Sequence, residues 1–124
     1  MKNSILKTVK KYNLSYRVHA VSCGAEFVEI IAENIPEFEA IASVFRRMRG
    51  VYVDSHFYTL CIRVYGLDDW QALKYFNACK TELIEIFYTS LRSGKSSDDA
   101  KRDQFSFCAG RPEYISAYNA IYNL

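Results

Sequence analysis

No apolar run in this sequence approaches the roughly twenty residues of a membrane span, so no spanning helix is expected and no membrane partner. The opening "MKNSILKTVKKYNLSYR" lacks the apolar stretch and small-residue cleavage site of a secretory leader. A cytoplasmic protein is therefore expected. The four cysteines, Cys23, Cys61, Cys79 and Cys108, include no Cys-x-x-Cys pair. Zinc sites usually bring their ligands in close pairs on a turn, and a reducing compartment disfavours disulfides. The thiols read as small, mostly buried apolar residues, with no metal and no cofactor expected. There is no internal repeat.

A complete phosphate-binding loop is also missing. Gly94-Lys95-Ser96 matches only the tail of the motif, and the first glycine of Gly-x-x-x-x-Gly-Lys-Ser falls at Thr89. The preceding "TELIEIFYTSL" reads as the end of a helix where a strand is needed. Gly94 then serves as a helix exit in left-handed conformation. Ser96 or Ser97, with Asp98 and Asp99, makes a polar loop or caps a short helix. Residues 93–103 are expected to be a polar, mobile loop.

What the chain does contain is one domain's worth of residues, 124, half of them hydrophobic and about a quarter charged, ordinary for a globular protein. The net charge of +2 hides an uneven layout. Residues 1–20 carry five basic groups and no acid, 21–45 carry five acids and no base, and 46–66 carry four arginines against Asp54. Such blocks set local fields that guide partners. Ten tyrosines are present, a residue suited to half-wet surfaces and interfaces.

Periodicity predicts the elements. Ser4 caps a short helix, Ile5 to Tyr12, with Ile5, Leu6, Val9 and Tyr12 inward and Lys7, Lys10 and Lys11 outward. Residues 15–32 alternate as a β-hairpin, with Tyr16, Val18 and Ala20 on one face, Arg17 and His19 on the other, and a turn at Gly24-Ala25. Pro36 opens a helix running through Arg49, with Glu37 and Glu39 at its N-terminus and Arg46, Arg47 and Arg49 at its C-terminus, as the helix dipole favours. Residues 51–65 are β, either one long strand or a hairpin breaking near Asp54-Ser55, with Tyr58, Leu60, Ile62 and Val64 on one face. Asp68 or Asp69 caps a long helix over 69–92 whose apolar arc is too wide for one sheet to cover. Pro112 opens a last helix, 112–123, that lines up Tyr114, Tyr118 and Tyr122. The fold class is α+β, a small antiparallel sheet with helices on one face.

Chemistry is sparse. Asp54 and His56 are placed to share a strand face, with Cys61 or Ser55 as a nearby nucleophile, but residue type without convergent geometry does not make a catalytic site. A turn aspartate and a surface histidine are the simpler reading, and Glu29, Glu33, Glu37 and Glu39 read as solvated edges. No enzyme is expected. Binding is the better expectation, because a tyrosine-rich surface without catalytic motifs has the composition of an interface. The candidate contacts are Lys7, Lys10, Lys11, Arg17, Arg46, Arg47, Arg49, Lys80, Tyr114, Tyr118 and Tyr122. Lys80 projects into the apolar stripe of the long helix and needs its ammonium led to solvent or a carboxylate. The expected role is a protein-binding accessory or inhibitor, of a kind a phage or plasmid encodes against a host protein complex. The alternative is a nucleic-acid-binding domain using the basic runs at 7–11 and 46–49. A homodimer is expected in preference to a monomer, the tyrosine ridge meeting the long helix either within one chain or between two.

Overall fold

A computed structural model describes residues 3–124. The chain is α+β, with element order α1 (Asn3–Lys11), β1 (Tyr16–Ala20), β2 (Glu26–Ile31), α2 (Ile35–Arg46), β3 (Val51–His56), β4 (Cys61–Gly66), α3 (Leu67–Arg92), α4 (Ser97–Phe107) and α5 (Pro112–Tyr122). It divides into two compact units, one reaching to Gln71 and the other beginning at Ala72. No helix among the described residues is long and apolar enough to cross a membrane.

The first unit is a four-stranded antiparallel sheet in the order β1-β2-β4-β3. Alternate residues of the two central strands, Val28 and Ile30 with Ile62 and Val64, are fully buried or nearly so. They pack with Ile5 and Val9 of α1 and with Phe38, Ile41, Ala42 and Phe45 of α2 in one cluster, so both helices cover the same sheet face. Asn34 caps α2 by accepting from the Glu37 backbone N–H at 2.9 Å, and Pro36 sits where its missing N–H costs nothing. The expected end at Arg49 is three residues too long. The helix stops at Arg46, and Arg47 and Met48 close it with bonds back to Ser43 and Phe45. Ser4 lies inside α1, which begins at Asn3, so it is not the expected cap.

The stretch 51–65 is a hairpin, but it does not break at Asp54-Ser55. Phe57–Thr59 form a single 3-10 turn, and Leu60 closes it with φ 52° and a 3.2 Å bond to the Phe57 carbonyl. Tyr58 and Leu60 are therefore not strand residues, although their alternation mimics one. Leu60 adopts a backbone region that costs a branched residue energy, and its side chain packs against the core in return. The long helix begins at Leu67, so Asp68 and Asp69 lie in its first turn and neither is the expected cap. Asp69 has another role. Its Oδ1 accepts from the Glu26 N–H at 3.0 Å and ties the helix to the start of β2.

The second unit is helical: the body of α3 with α4 and α5. The expected mobile loop at 93–103 is overturned from Ser97 onward, where α4 begins. Ser96 caps it by accepting from the Asp99 N–H at 3.2 Å, and Asp98 and Asp99 occupy the first turn, where the dipole favours them. Gly94 exits α3 with φ 92°, as expected. The buried stripe consists of Phe76, Cys79 and Leu83 from α3, Ala100 and Gln104 from α4, Cys108 just beyond it, and Ala117 and Tyr118 from α5.

Candidate interaction surfaces

The sheet face away from α1 and α2 is built in rows. Register partners across β1, β2, β4 and β3 are His19, Phe27, Tyr65 and Tyr52. Their rings form a ladder, with centroids 5.0 Å apart for His19–Phe27, 4.9 Å for Phe27–Tyr65 and 6.2 Å for Tyr65–Tyr52. Trp70 from the first turn of α3 stacks on Tyr52 at 3.9 Å. The next row is Arg17, Glu29, Arg63 and Asp54, alternating in charge. Arg17, a candidate contact, thus faces a carboxylate in register and lies on the opposite sheet face from the other basic candidates of this unit.

Glu29 is the hub of the charged row. Its carboxylate oxygens lie 3.4 Å from His19 Nε2 and 3.5 Å from Arg63 Nε, ion-pair distances without hydrogen-bond alignment. Burial alone would raise this carboxyl, but His19, with Cys61 and Arg63, outweighs it and holds the group below its ordinary value. Asp54 and His56, read as a turn aspartate and a surface histidine in preference to a pair, do meet, with His56 Nε2 3.0 Å from Asp54 Oδ2 on the exposed surface. The nucleophiles imagined beside it are engaged otherwise. Ser55 belongs to the helix-facing side of β3, and its Oγ accepts from Arg46 at 2.7 Å. Cys61 sits opposite His56 in register, but burial and then the Glu29 charge push its thiol up, away from the reactive thiolate.

The remaining basic candidates of the first unit converge. Thr8 Oγ1 contacts Met48 Sδ at 3.6 Å, which sets α1 beside the end of α2. Lys7, Lys10, Lys11, Arg46, Arg47 and Arg49 are all exposed around this contact, and the Lys11 ammonium lies 5.4 Å over the Tyr12 ring. Next to them Tyr12, Leu14, Ala40, Ile41, Val44 and Phe45 line an apolar groove of about 260 Å³.

The opposite end of α2 holds residues that the sequence reading missed. Tyr58 is 98% exposed at the hairpin tip, and Phe57, Ile31 and Ile35 are also exposed. They share one corner, because the Ala32 N–H donates to the Leu60 carbonyl at 2.9 Å and the Phe57 ring meets Phe38 at 6.0 Å. Glu33, Glu37 and Glu39 flank this corner in sequence. Tyr58 alternates with Leu60, Ile62 and Val64 as a strand residue would, which hides it in the sequence.

In the second unit the tyrosine ridge is used within the chain. Tyr118 is buried, Tyr114 donates to Glu82, and Tyr122 donates to the side-chain oxygen of Gln104. The Glu82 hydrogen bond pushes the Tyr114 hydroxyl well above its ordinary value, and burial does the same to Tyr118 and Tyr122. Lys80 is half-buried, its ammonium 5.0 Å over the Phe76 ring. The Gly-Lys-Ser residues are structural. Lys95 Nζ pairs with Asp103 at 2.8 Å, Ser90 donates to the same carboxylate at 2.7 Å, and Ser96 is the α4 cap.

All four cysteines are free, and among the described residues no group of three or more His, Cys, Asp or Glu side chains is placed to hold a metal. Comparison with protein-family models, with curated proteins and with solved structures finds no match.

Proposed function

We propose that this chain is a non-enzymatic protein-binding module, an accessory or inhibitor protein that docks on its partner through the corner of Ile31, Ile35, Phe57 and Tyr58. The observation that carries the reading is Tyr58, 98% exposed on a turn that its neighbour Leu60 closes in left-handed conformation. Exposed aromatic and aliphatic side chains grouped at one corner have the character of a binding hot spot. Non-glycine residues held at positive φ concentrate at functional sites. The basic groups around Thr8 and Met48 lie toward the other end of α2 and steer an acidic partner surface. A phage- or plasmid-borne origin, with a host protein complex as target, is part of the same proposal.

Affinity capture from the native cell, comparing the chain with Tyr58→Ala, tests it. A hot-spot tyrosine costs about 2 kcal/mol on truncation, roughly a thirtyfold loss of affinity. The expected result is recovery of a defined protein by the natural sequence and loss of that protein by the variant, with the fold unchanged. Equal recovery by both sinks the assignment. Turnover of a small molecule that disappears in Asp54→Ala or His56→Ala replaces it with an enzyme.

A second reading rests on a different observation, the meeting of the two basic runs at the Thr8–Met48 contact. Six cations facing phosphates give a salt dependence with a slope of roughly −5 in log affinity against log salt. Nucleic acid recovered with that slope, and lost in Lys11→Ala/Arg47→Ala, favours this reading. Self-association belongs to the proposal too. The tyrosine ridge meets its partners inside the second unit, which supports a homodimer built on other surfaces, and a sedimenting species of 14.4 kDa at tens of micromolar rules the homodimer out.

A further inference from the structure

The three helices of the second unit line an open groove of about 450 Å³, a volume within the range of small-molecule sites. Phe87 of α3 and Ile121 and Tyr122 of α5 supply apolar wall. The polar lining comes chiefly from α4. Gln104 is 1% exposed and locked at both ends, its Nε2 donating to the Leu83 carbonyl at 2.7 Å and its Oε1 accepting from the Tyr122 hydroxyl. That wall is fixed before any ligand arrives.

Two charges border the groove, Asp98 and Lys101, one helical turn apart. They are not equivalent. Asp98 sits in the first turn of α4, where the free backbone N–H groups and the helix dipole compensate a carboxylate. Lys101 has no such support. It forms no ion pair with any described residue, and its ammonium rests 4.4 Å over the Tyr122 ring. The neighbouring Arg102 takes Asp99 at 3.5 Å. Lys101 is exposed at the rim, so its ammonium is free to turn from the ring to an anionic group that a ligand brings.

We propose that this groove binds an apolar carboxylate, with its hydrocarbon part against Phe87, Ile121 and Tyr122 and its carboxylate on Lys101. Displacing the ammonium from the ring into a charge-assisted hydrogen bond provides orientation, and burial of the hydrocarbon provides affinity. Asp98 opposes the ligand charge and holds the affinity down. The proposal is independent of the protein-binding reading, which uses the first unit.

Three ten-carbon probes of different charge, decanoate, decanol and decyltrimethylammonium, test it by backbone amide NMR titration of the full chain below their aggregation limits. The expected result is saturable shifts confined to residues 84–88, 97–104 and 121–122, with decanoate the tightest of the three. Lys101→Met keeps the stem and should weaken decanoate at least about tenfold while leaving decanol unchanged. Asp98→Asn should tighten decanoate. The opposite signs of these two variants separate charge recognition from a general loss of fold. Tighter binding of the cationic probe, no saturable shift with any probe, or indifference of decanoate to both substitutions overturns the proposal.

Discussion

The two units are held together by different physics. In the first, buried Val, Ile and Phe side chains from two helices and two central strands make one apolar cluster, and the ion pairs of Glu29 and Asp54 lie on the other sheet face. In the second, the buried side chains are smaller, and hydroxyls, an amide and two carboxylates link the helices: Tyr114 to Glu82, Tyr122 to Gln104, Gln104 to the Leu83 backbone, and Ser90 and Lys95 to Asp103. Burial of apolar area is non-directional and indifferent to protonation. Of the second unit's bonds the one from Gln104 to the Leu83 backbone is buried, while Tyr114–Glu82 and Lys95–Asp103 are exposed; a buried bond contributes little net energy while made but costs much when one partner is removed. The first unit should therefore respond mainly to volume, and the second to the chemistry of single atoms.

The largest effect expected from that contrast is at Phe45, fully buried between α2 and the sheet. Phe45→Ala should cost about 3–5 kcal/mol, read by denaturant unfolding and by loss of amide protection across 26–31 and 61–66. The second unit is tested at Gln104. Gln104→Ala removes the bonds to the Leu83 carbonyl and the Tyr122 hydroxyl and leaves a void where a 1% exposed side chain stood, and should cost about 1–3 kcal/mol. Gln104→Glu, nearly the same volume, should also destabilise. A harmless Gln104→Glu would show that packing alone governs this unit as well.

A pH effect comes next. Lys95 and then Ser90 hold the Asp103 carboxyl below its ordinary 3.8. A folded value below the unfolded one gives stability that is complete above that pH and lost as pH falls through the folded value. Asp103 in turn raises Lys95 above its ordinary 10.5, so its contribution is complete below 10.5 and lost as pH rises through the folded value. Asp103→Asn should flatten both arms in a plot of helical circular dichroism against pH, while Phe45→Ala shifts the whole curve down and keeps its shape. The smallest effect on stability is expected at Tyr58, where truncation of a 98% exposed ring should change stability by less than about 0.5 kcal/mol. That near-silence is what separates a binding role from a structural one.

Much of the first unit was legible from alternation and helical spacing, because its buried faces are continuous: Ile5 and Val9, Val28 and Ile30, Phe38, Ile41 and Phe45. At 97–107 the cap was legible as one alternative, through Ser96 with Asp98 and Asp99, but the length of the helix was not, since its inward stripe of Ala100, Gln104 and Cys108 includes an amide and no large aliphatic side chain, while Phe105 points outward. The hairpin break at Leu60 was hidden for a related reason, a leucine at positive φ where glycine or asparagine would have announced a turn. The site-level arrangement depends on contacts between distant residues. Each basic run could be read singly, but their meeting requires α1 and α2 to share one sheet face. The alternating row from Arg17 to Asp54 requires three strand registers that no local pattern encodes.

The placement of the four thiols gives the chain its own reporters of motion. Cys23 lies partly exposed in the β1–β2 turn, while Cys61 is buried in the first unit and Cys79 and Cys108 in the second. Burial pushes each of the three buried thiols above its ordinary value, so an electrophile meets them as thiolates only after a local opening. In a disulfide-exchange assay Cys23 should react at once. The delay at Cys61 then clocks the opening of the sheet, and the delay at Cys79 and Cys108 clocks the opening of the helices, without a label or a substitution anywhere in the chain.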